Sequence, residues 1–194
     1  MPFKNSFVHP ITLVFLLLTV NSSRTLWSQE ETMKEVSVVP SVDLSKYAGT
    51  WYEIARLPNR FQEKCACNVT ATYTLLENGE IKVVNKCVTS EGDTTEAEGR
   101  ARRASDDEPN TKLKVRFAPG FLSFLPFVWG NYWIIDLAPD YSYAVIGEPD
   151  RHYLWILARQ PVLEETTLQH ILANVAAQGY DLKNLIRTKQ LADK

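Results

Sequence analysis

From residue 50 to residue 159 the chain repeats one pattern, a short apolar–polar run followed by turn residues, and nothing there carries a helical period. Eight runs fit strands, at about 50–56, 69–76, 80–88, 96–103, 112–118, 131–137, 142–147 and 153–159. Asn78-Gly79, Glu91-Gly92-Asp93, the stretch 106–110, Ala138-Pro139-Asp140 and the stretch 147–150 supply the turns between them. Short strands at regular spacing predict a sandwich or a barrel. A parallel sheet is not expected, because its crossovers would need helices between the strands. The period changes only after Pro161. Leu168, Ile171, Leu172, Val175 and Ala176 then fall on one helical face, and Gly179 is a natural stop. The spacing predicts one amphipathic helix over about 164–178, with its apolar stripe buried against the strands, and an extended tail over 180–190.

The hairpin at Asn78-Gly79 fixes a register. A two-residue turn would put Tyr73 and Ile81 on opposite faces. A three-residue loop pairs Leu76 with Glu80 and ends in a left-handed Gly79. It gathers Ala71, Tyr73, Leu75, Ile81, Val83 and Asn85 on one face and Thr70, Thr72, Thr74, Lys82 and Lys86 on the other. The second sorting separates apolar from polar far better, and a one-residue slip is costly when a face is buried. The same register brings Cys67 and Cys87 together on the inner face. It points to a Cys67–Cys87 disulfide with Cys65 spare, although Cys65 stays open as the alternative partner. Asn68, in the sequon Asn68-Val69-Thr70, then points outward as a glycosylation candidate.

The three cysteines also bear on compartment. Lys4 precedes the apolar run of residues 11–20, and small residues follow at Ser22, Ser23 and Ser28. About ten apolar residues match a signal-peptide core and fall short of the ~20 that span a bilayer. Residues 1–28 are therefore expected to be a signal peptide cleaved within 22–29, and residues 29–42 a flexible lead-in. Export to an oxidising compartment, whether secretion or the periplasm, favours one disulfide and one free thiol. The net charge of −2 and the lack of a basic block argue against nucleic acid as a partner. With only His9, His152 and His170 present, there is little material for a histidine metal site or a serine–histidine triad. No metal or cofactor is expected.

The octet Gly49-Thr50-Trp51-Tyr52-Glu53-Ile54-Ala55-Arg56, the segments 68–73 and 83–85, and Asp150-Arg151-His152-Tyr153-Leu154-Trp155-Ile156-Leu157-Ala158-Arg159 resemble, in order and spacing, the lipocalin family. Within it they are most similar to the bacterial outer-membrane lipocalins and the apolipoprotein D group. The resemblance covers about residues 43–190 as one domain. It implies an all-β fold, an eight-stranded antiparallel up-and-down barrel with one C-terminal helix packed outside. It also implies that Trp51 plugs the closed end beneath Arg159, with Gly49 permitting the tight entry. No cysteine follows the leader where bacterial lipoproteins of this family are acylated, so no lipid anchor is expected.

An eight-stranded barrel is either filled by side chains or holds one small ligand, and the resemblance implies a cavity. The expected wall is Tyr73, Leu75, Val83, Asn85, Val115, Phe117, Trp133, Ile135, Tyr153 and Trp155, mostly apolar with a few polar tips. The function expected is carriage of a fatty acid, lysophospholipid or similar lipid. Arg56, near the mouth, is a candidate for meeting a carboxylate. An enzyme that isomerises a bound lipid through an inward thiol, Cys67 or Cys87, is the alternative, and no enzymatic role is the reading preferred. The charged turn Asp150-Arg151-His152 is assigned a structural role. The loop 118–130 is unusually apolar, and Phe121, Phe124 and Phe127 mark it for contact with a membrane or a partner. A monomer or weak homodimer is expected.

Overall fold

A computed structural model of the chain describes residues 34–191, with Met1 alone before them. The expected signal peptide, its cleavage window and the start of the lead-in lie outside the described residues. Alternating side chains and the turn residues produce eight antiparallel strands: β1 (Gly49–Arg56), β2 (Cys65–Leu75), β3 (Ile81–Thr89), β4 (Thr94–Arg103), β5 (Lys112–Arg116), β6 (Gly130–Leu137), β7 (Tyr143–Gly147) and β8 (Trp155–Ala158). Each pairs with the next, and β1 pairs with both β8 and β2, so the sheet closes into a barrel. A one-turn helix, α1 (Leu44–Tyr47), precedes β1 and is capped by the Asp43 carboxylate. The amphipathic helix is α2 (Glu165–Ala177), with Leu168, Ile171 and Val175 buried.

The three-residue loop is present. Leu76 N–H donates to Glu80 O at 2.8 Å, and Gly79 has φ of +80°. Leu75 therefore pairs with Ile81, and Tyr73 with Val83. The register fails higher in β2. Irregularities fall between Cys65 and Cys67 and between Cys67 and Thr70, and Asn68 has φ of +52°. A bulge residue shifts the parity of the strand beyond it. The disulfide is consequently Cys65–Cys87, with Cα atoms 5.6 Å apart, and Cys67 is the free, half-buried cysteine. This corrects the Cys67–Cys87 pairing.

The wedge that opens above residue 52 between β1 and β2 is filled by the tail. Its short strand β9 (Ile186–Arg187) pairs with Ala55 and Arg56, and Lys189 bridges to Cys67. Asn68 does not stand clear of the surface as expected. It is half-buried, and its Oδ1 accepts the Leu191 amide at 2.6 Å. The end of the lead-in is likewise tied down. Val36 and Val42 are buried, Val39 N–H donates to Ile134 O at 3.0 Å, and Asn110 exchanges hydrogen bonds with the Val42 backbone. Residues 34–42 carry no regular element, yet they are part of the packed body rather than a flexible lead-in.

Candidate functional site

Two apolar clusters lie on the two faces of the barrel wall. The inner one draws Trp51, Ala71, Tyr73, Ile81, Val83, Ala101, Leu113, Ile134, Ala144, Ile146 and Leu157, at least one from each of the eight strands. The outer one packs Ile54, Trp133, Ile135, Val145 and Ile156 against Leu168, Ile171 and Val175 of α2. Trp133 and Ile135, expected in the ligand wall, therefore face the helix. Lys112 Nζ sits 4.3 Å above the Trp133 ring. The sixth strand puts Tyr132 and Ile134 inside instead. Its sequence is apolar on both faces because α2 covers the outer one, so alternation could not assign its parity.

The closed end is built by Trp51. It is fully buried, its indole N–H donates to Tyr47 O at 2.8 Å, and the Arg159 guanidinium lies 3.8 Å from its ring centre. Arg159 also donates to the carbonyls of Lys46, Tyr47, Ala48 and Thr50. Gly49 has φ of +98°, and a Cβ there would stand 3.3 Å from Arg159 Nη1. Leu75 lies two residues past Tyr73, the partner of Gly49, and is 44% exposed beyond this floor rather than in the wall.

Above Trp51 three phenols meet. Tyr132 Oη is 2.7 Å from Tyr47 Oη and 2.8 Å from Tyr73 Oη. Burial raises all three pKa values, Tyr73 to about 12, so the trio is neutral. Toward the other end the lumen opens. Val83 is buried, Asn85 and Val115 are half-buried, and the inward-facing Ala97 is exposed. Phe117 is 43% exposed and lies against Gly99, where a Cβ would come within 2.8 Å of its ring. A depression of about 330 Å³ lies beside it, lined by Gly99, Arg116, Phe117 and Pro119. A second hollow, about 560 Å³, lies outside the floor between Tyr143 and Thr167 and does not join the lumen. On the opposite rim Trp155 stacks on Tyr153 at 5.9 Å, and Tyr153 meets Phe61 at 5.7 Å.

A buried polar network props this rim. Glu53, 2% exposed, accepts from Arg56 Nη1 at 2.9 Å, from Gln62 Nε2 at 2.6 Å and from the Thr188 hydroxyl. Gln62 Oε1 accepts the Trp155 indole N–H at 2.7 Å. Arg56 is thus committed to Glu53 and does not await a ligand carboxylate. Glu53, Gln62, Tyr47 and Tyr132 were missed in the sequence. The available signal was Glu53 itself, a charge at the inward parity set by Trp51. The 150–152 turn is structural, as expected. The Glu148 carboxylate accepts the Asp150, His152 and Tyr153 amides, and Arg151 Nε donates to Gln178 O at 2.7 Å.

Residues 42–190 match the lipocalin-like domain family. The chain belongs to the lipocalin family. This lipocalin is 42% identical to temperature-induced lipocalin-1 of Arabidopsis thaliana over 158 residues, covering 81% of this chain and 84% of that one. It is 38% identical to the outer membrane lipoprotein Blc of Escherichia coli K12, covering 80% and 83% of the two chains. Against apolipoprotein D of Mus musculus the identity is 34%, and 79% of each chain is covered. Among solved structures, insecticyanin from the tobacco hornworm Manduca sexta superposes with a TM-score of 0.64 at 25% identity, over 82% of this chain and 86% of that one. This lipocalin therefore takes the family's general role, the binding of small hydrophobic ligands.

Proposed function

We propose that this lipocalin is an exported, non-enzymatic carrier of fatty acids, lysophospholipids or similar lipids, serving membrane lipid maintenance. The observation that carries the reading is a lumen lined by apolar side chains from all eight strands, closed at Trp51 and accessible at Asn85, Val115 and Ala97. Each CH₂ moved from water into such a lumen contributes about 0.8 kcal/mol before the cost of association. Apolar walls discriminate poorly, so a range of chain lengths is accepted. The disulfide and the apolar leader sequence favour an oxidising, extracytoplasmic location. With Cys87 in that disulfide, the thiol-isomerase alternative is left with Cys67 alone, at the irregular edge of β2.

A second observation favours contact with a membrane during loading. Phe121, Phe124 and Phe127 are 75%, 77% and 80% exposed on one mouth loop. Beside them the outer face of β4–β5 carries Arg100, Arg102, Lys114 and Arg116, and Arg102 sits 4.3 Å above the Trp129 ring of that loop. Exposed aromatics beside cations suit an anionic lipid surface.

The test is a thermal-shift and extraction experiment on the purified, tag-free protein. Added fatty acid at 100 times its Kd should stabilise the fold by about 2.7 kcal/mol, and lipid identified in an organic extract should restore that shift. Absence of any shift with fatty acids and lysolipids together would refute the carrier reading. Liposome flotation should fall when Phe121, Phe124 and Phe127 are all changed to Ser, and unchanged flotation would remove the membrane step alone.

A further inference from the structure

The phenol trio at the lumen floor holds one more hydroxyl proton than its own hydrogen bonds use. Each phenol has a single proton to donate. Two contacts, Tyr47–Tyr132 at 2.7 Å and Tyr73–Tyr132 at 2.8 Å, consume two of the three. Among the described residues these hydroxyls have no other partner. The groups around them are apolar, with Ala71, Ile81, Leu113 and Ile134 in the same cluster. The nearby Trp51 indole offers no acceptor, and its own N–H is already used on Tyr47 O at 2.8 Å. A buried O–H without an acceptor is costly. Tyr47 and Tyr73 are buried and Tyr132 is half-buried, so Tyr132 is the member of the trio that reaches accessible surface.

We infer that the lumen floor takes a neutral hydrogen-bond acceptor, such as a ketone or ester carbonyl, at the buried end of an otherwise apolar ligand. The inference rests on the carrier reading and names the chemistry of its ligand's inner end. A carboxylate fits this floor less well. It would meet one hydroxyl and no free cation, since the Arg159 guanidinium lies across Trp51 and is spent on four backbone carbonyls. A fatty acid would therefore enter tail first, with its carboxylate at the mouth.

The spare proton is not tied to one residue, because the three hydroxyls rotate. Tyr73→Phe leaves two hydroxyls, one bond and again one spare proton. Tyr132→Phe leaves Tyr47 and Tyr73 without their shared partner and so frees two. Only the removal of all three hydroxyls abolishes the donor.

The experiment is competition against a fluorescent fatty acid with a shape-matched pair, 2-acetylnaphthalene and 2-isopropenylnaphthalene, with affinities corrected for their water–octanol transfer. The wild type should prefer the ketone about tenfold. Tyr73→Phe and Tyr132→Phe should keep that preference. The triple change Tyr47→Phe, Tyr73→Phe, Tyr132→Phe should lose it, read as the ratio of the two affinities within that variant. Equal corrected affinities in the wild type, loss of preference in Tyr132→Phe, or preference surviving in a folded triple variant would each overturn the inference. Failure of the fluorescent fatty acid to bind the wild type is a separate readout. It would overturn the carrier reading and this inference with it.

Discussion

Arg159 joins the two ends of the domain sequence at one point, with its guanidinium over Trp51 and four carbonyls of residues 46–50 around it. A cation–π contact is worth roughly 0.5–2 kcal/mol, and removing the donor leaves carbonyls that lose their partner. Arg159→Ala should therefore destabilise the fold by about 2–4 kcal/mol, read as a shift in urea midpoint at unchanged m-value. Arg159→Lys should recover only part of that loss, because a point ammonium cannot cover the ring and serve four carbonyls together. An Arg159→Ala protein within about 0.5 kcal/mol of wild type would show that the floor closes without it. The glycine two residues before a tryptophan at a strand start is locally unfavourable and raised the question of a tertiary reason, but the roles of Gly49, Trp51 and Arg159 were legible through the family resemblance of their motifs. The partnerships of Glu53 and Tyr132 were not, since Thr188 for the one and Tyr47 with Tyr73 for the other come from distant parts of the chain.

At the scale of elements, the strands and α2 were readable because period and turn chemistry are local. The mistakes sit where a second layer intervenes. A covering helix made both faces of β6 apolar and hid the facing of Trp133 and Ile135. A bulge at Asn68, supported by the tail, moved the disulfide from Cys67 to Cys65. That bridge closes a loop of sequence separation 22, for which loop entropy gives about 3 kcal/mol. Cys67→Ser should leave stability unchanged. Adding Cys65→Ser to it should cost about 3 kcal/mol, and an equal cost from Cys67→Ser alone would place the bridge on the wrong cysteine. The tail itself is held to α2 by Arg187, which donates to both oxygens of Glu165 at 2.6 and 2.7 Å. Those bonds, with a further one from Gln169, lower the Glu165 pKa from 4.5 to about 2. A depressed carboxyl favours the docked tail above the unfolded value and loses that contribution as pH falls toward 2. A carboxyl-carbon NMR titration should find Glu165 near 2 in the wild type and clearly raised toward its ordinary value in Arg187→Gln, where the Gln169 hydrogen bond remains. An unmoved midpoint would mean that the pair does not persist in solution.

For the molecule as a whole, the barrel wall separates two apolar regions with different duties. The outer cluster under α2 is sealed, with Ile171, Val175, Ile156 and Ala55 buried. The inner cluster is sealed only at its floor, where Trp51 and Ile81 lie, and is open to solvent near Asn85 and Ala97. Stability and affinity should therefore separate by face. Ile171→Ala deletes buried methylenes from a close-packed site and should cost about 2–5 kcal/mol, with the Kd of a bound fatty acid unchanged at temperatures where the variant is folded. Val83→Phe adds volume on the inner side, where the open upper lumen gives the ring space to turn into. It should weaken fatty-acid binding at least tenfold while shifting the unfolding free energy by less than about 1.5 kcal/mol. Both changes are read from one pair of measurements, a urea melt without ligand and a binding titration below the melting range. A lumen already filled by its own side chains would invert the second result. Val83→Phe would then overpack a dense core and destabilise the protein by about 1–3 kcal/mol or more, with no ligand affinity to lose.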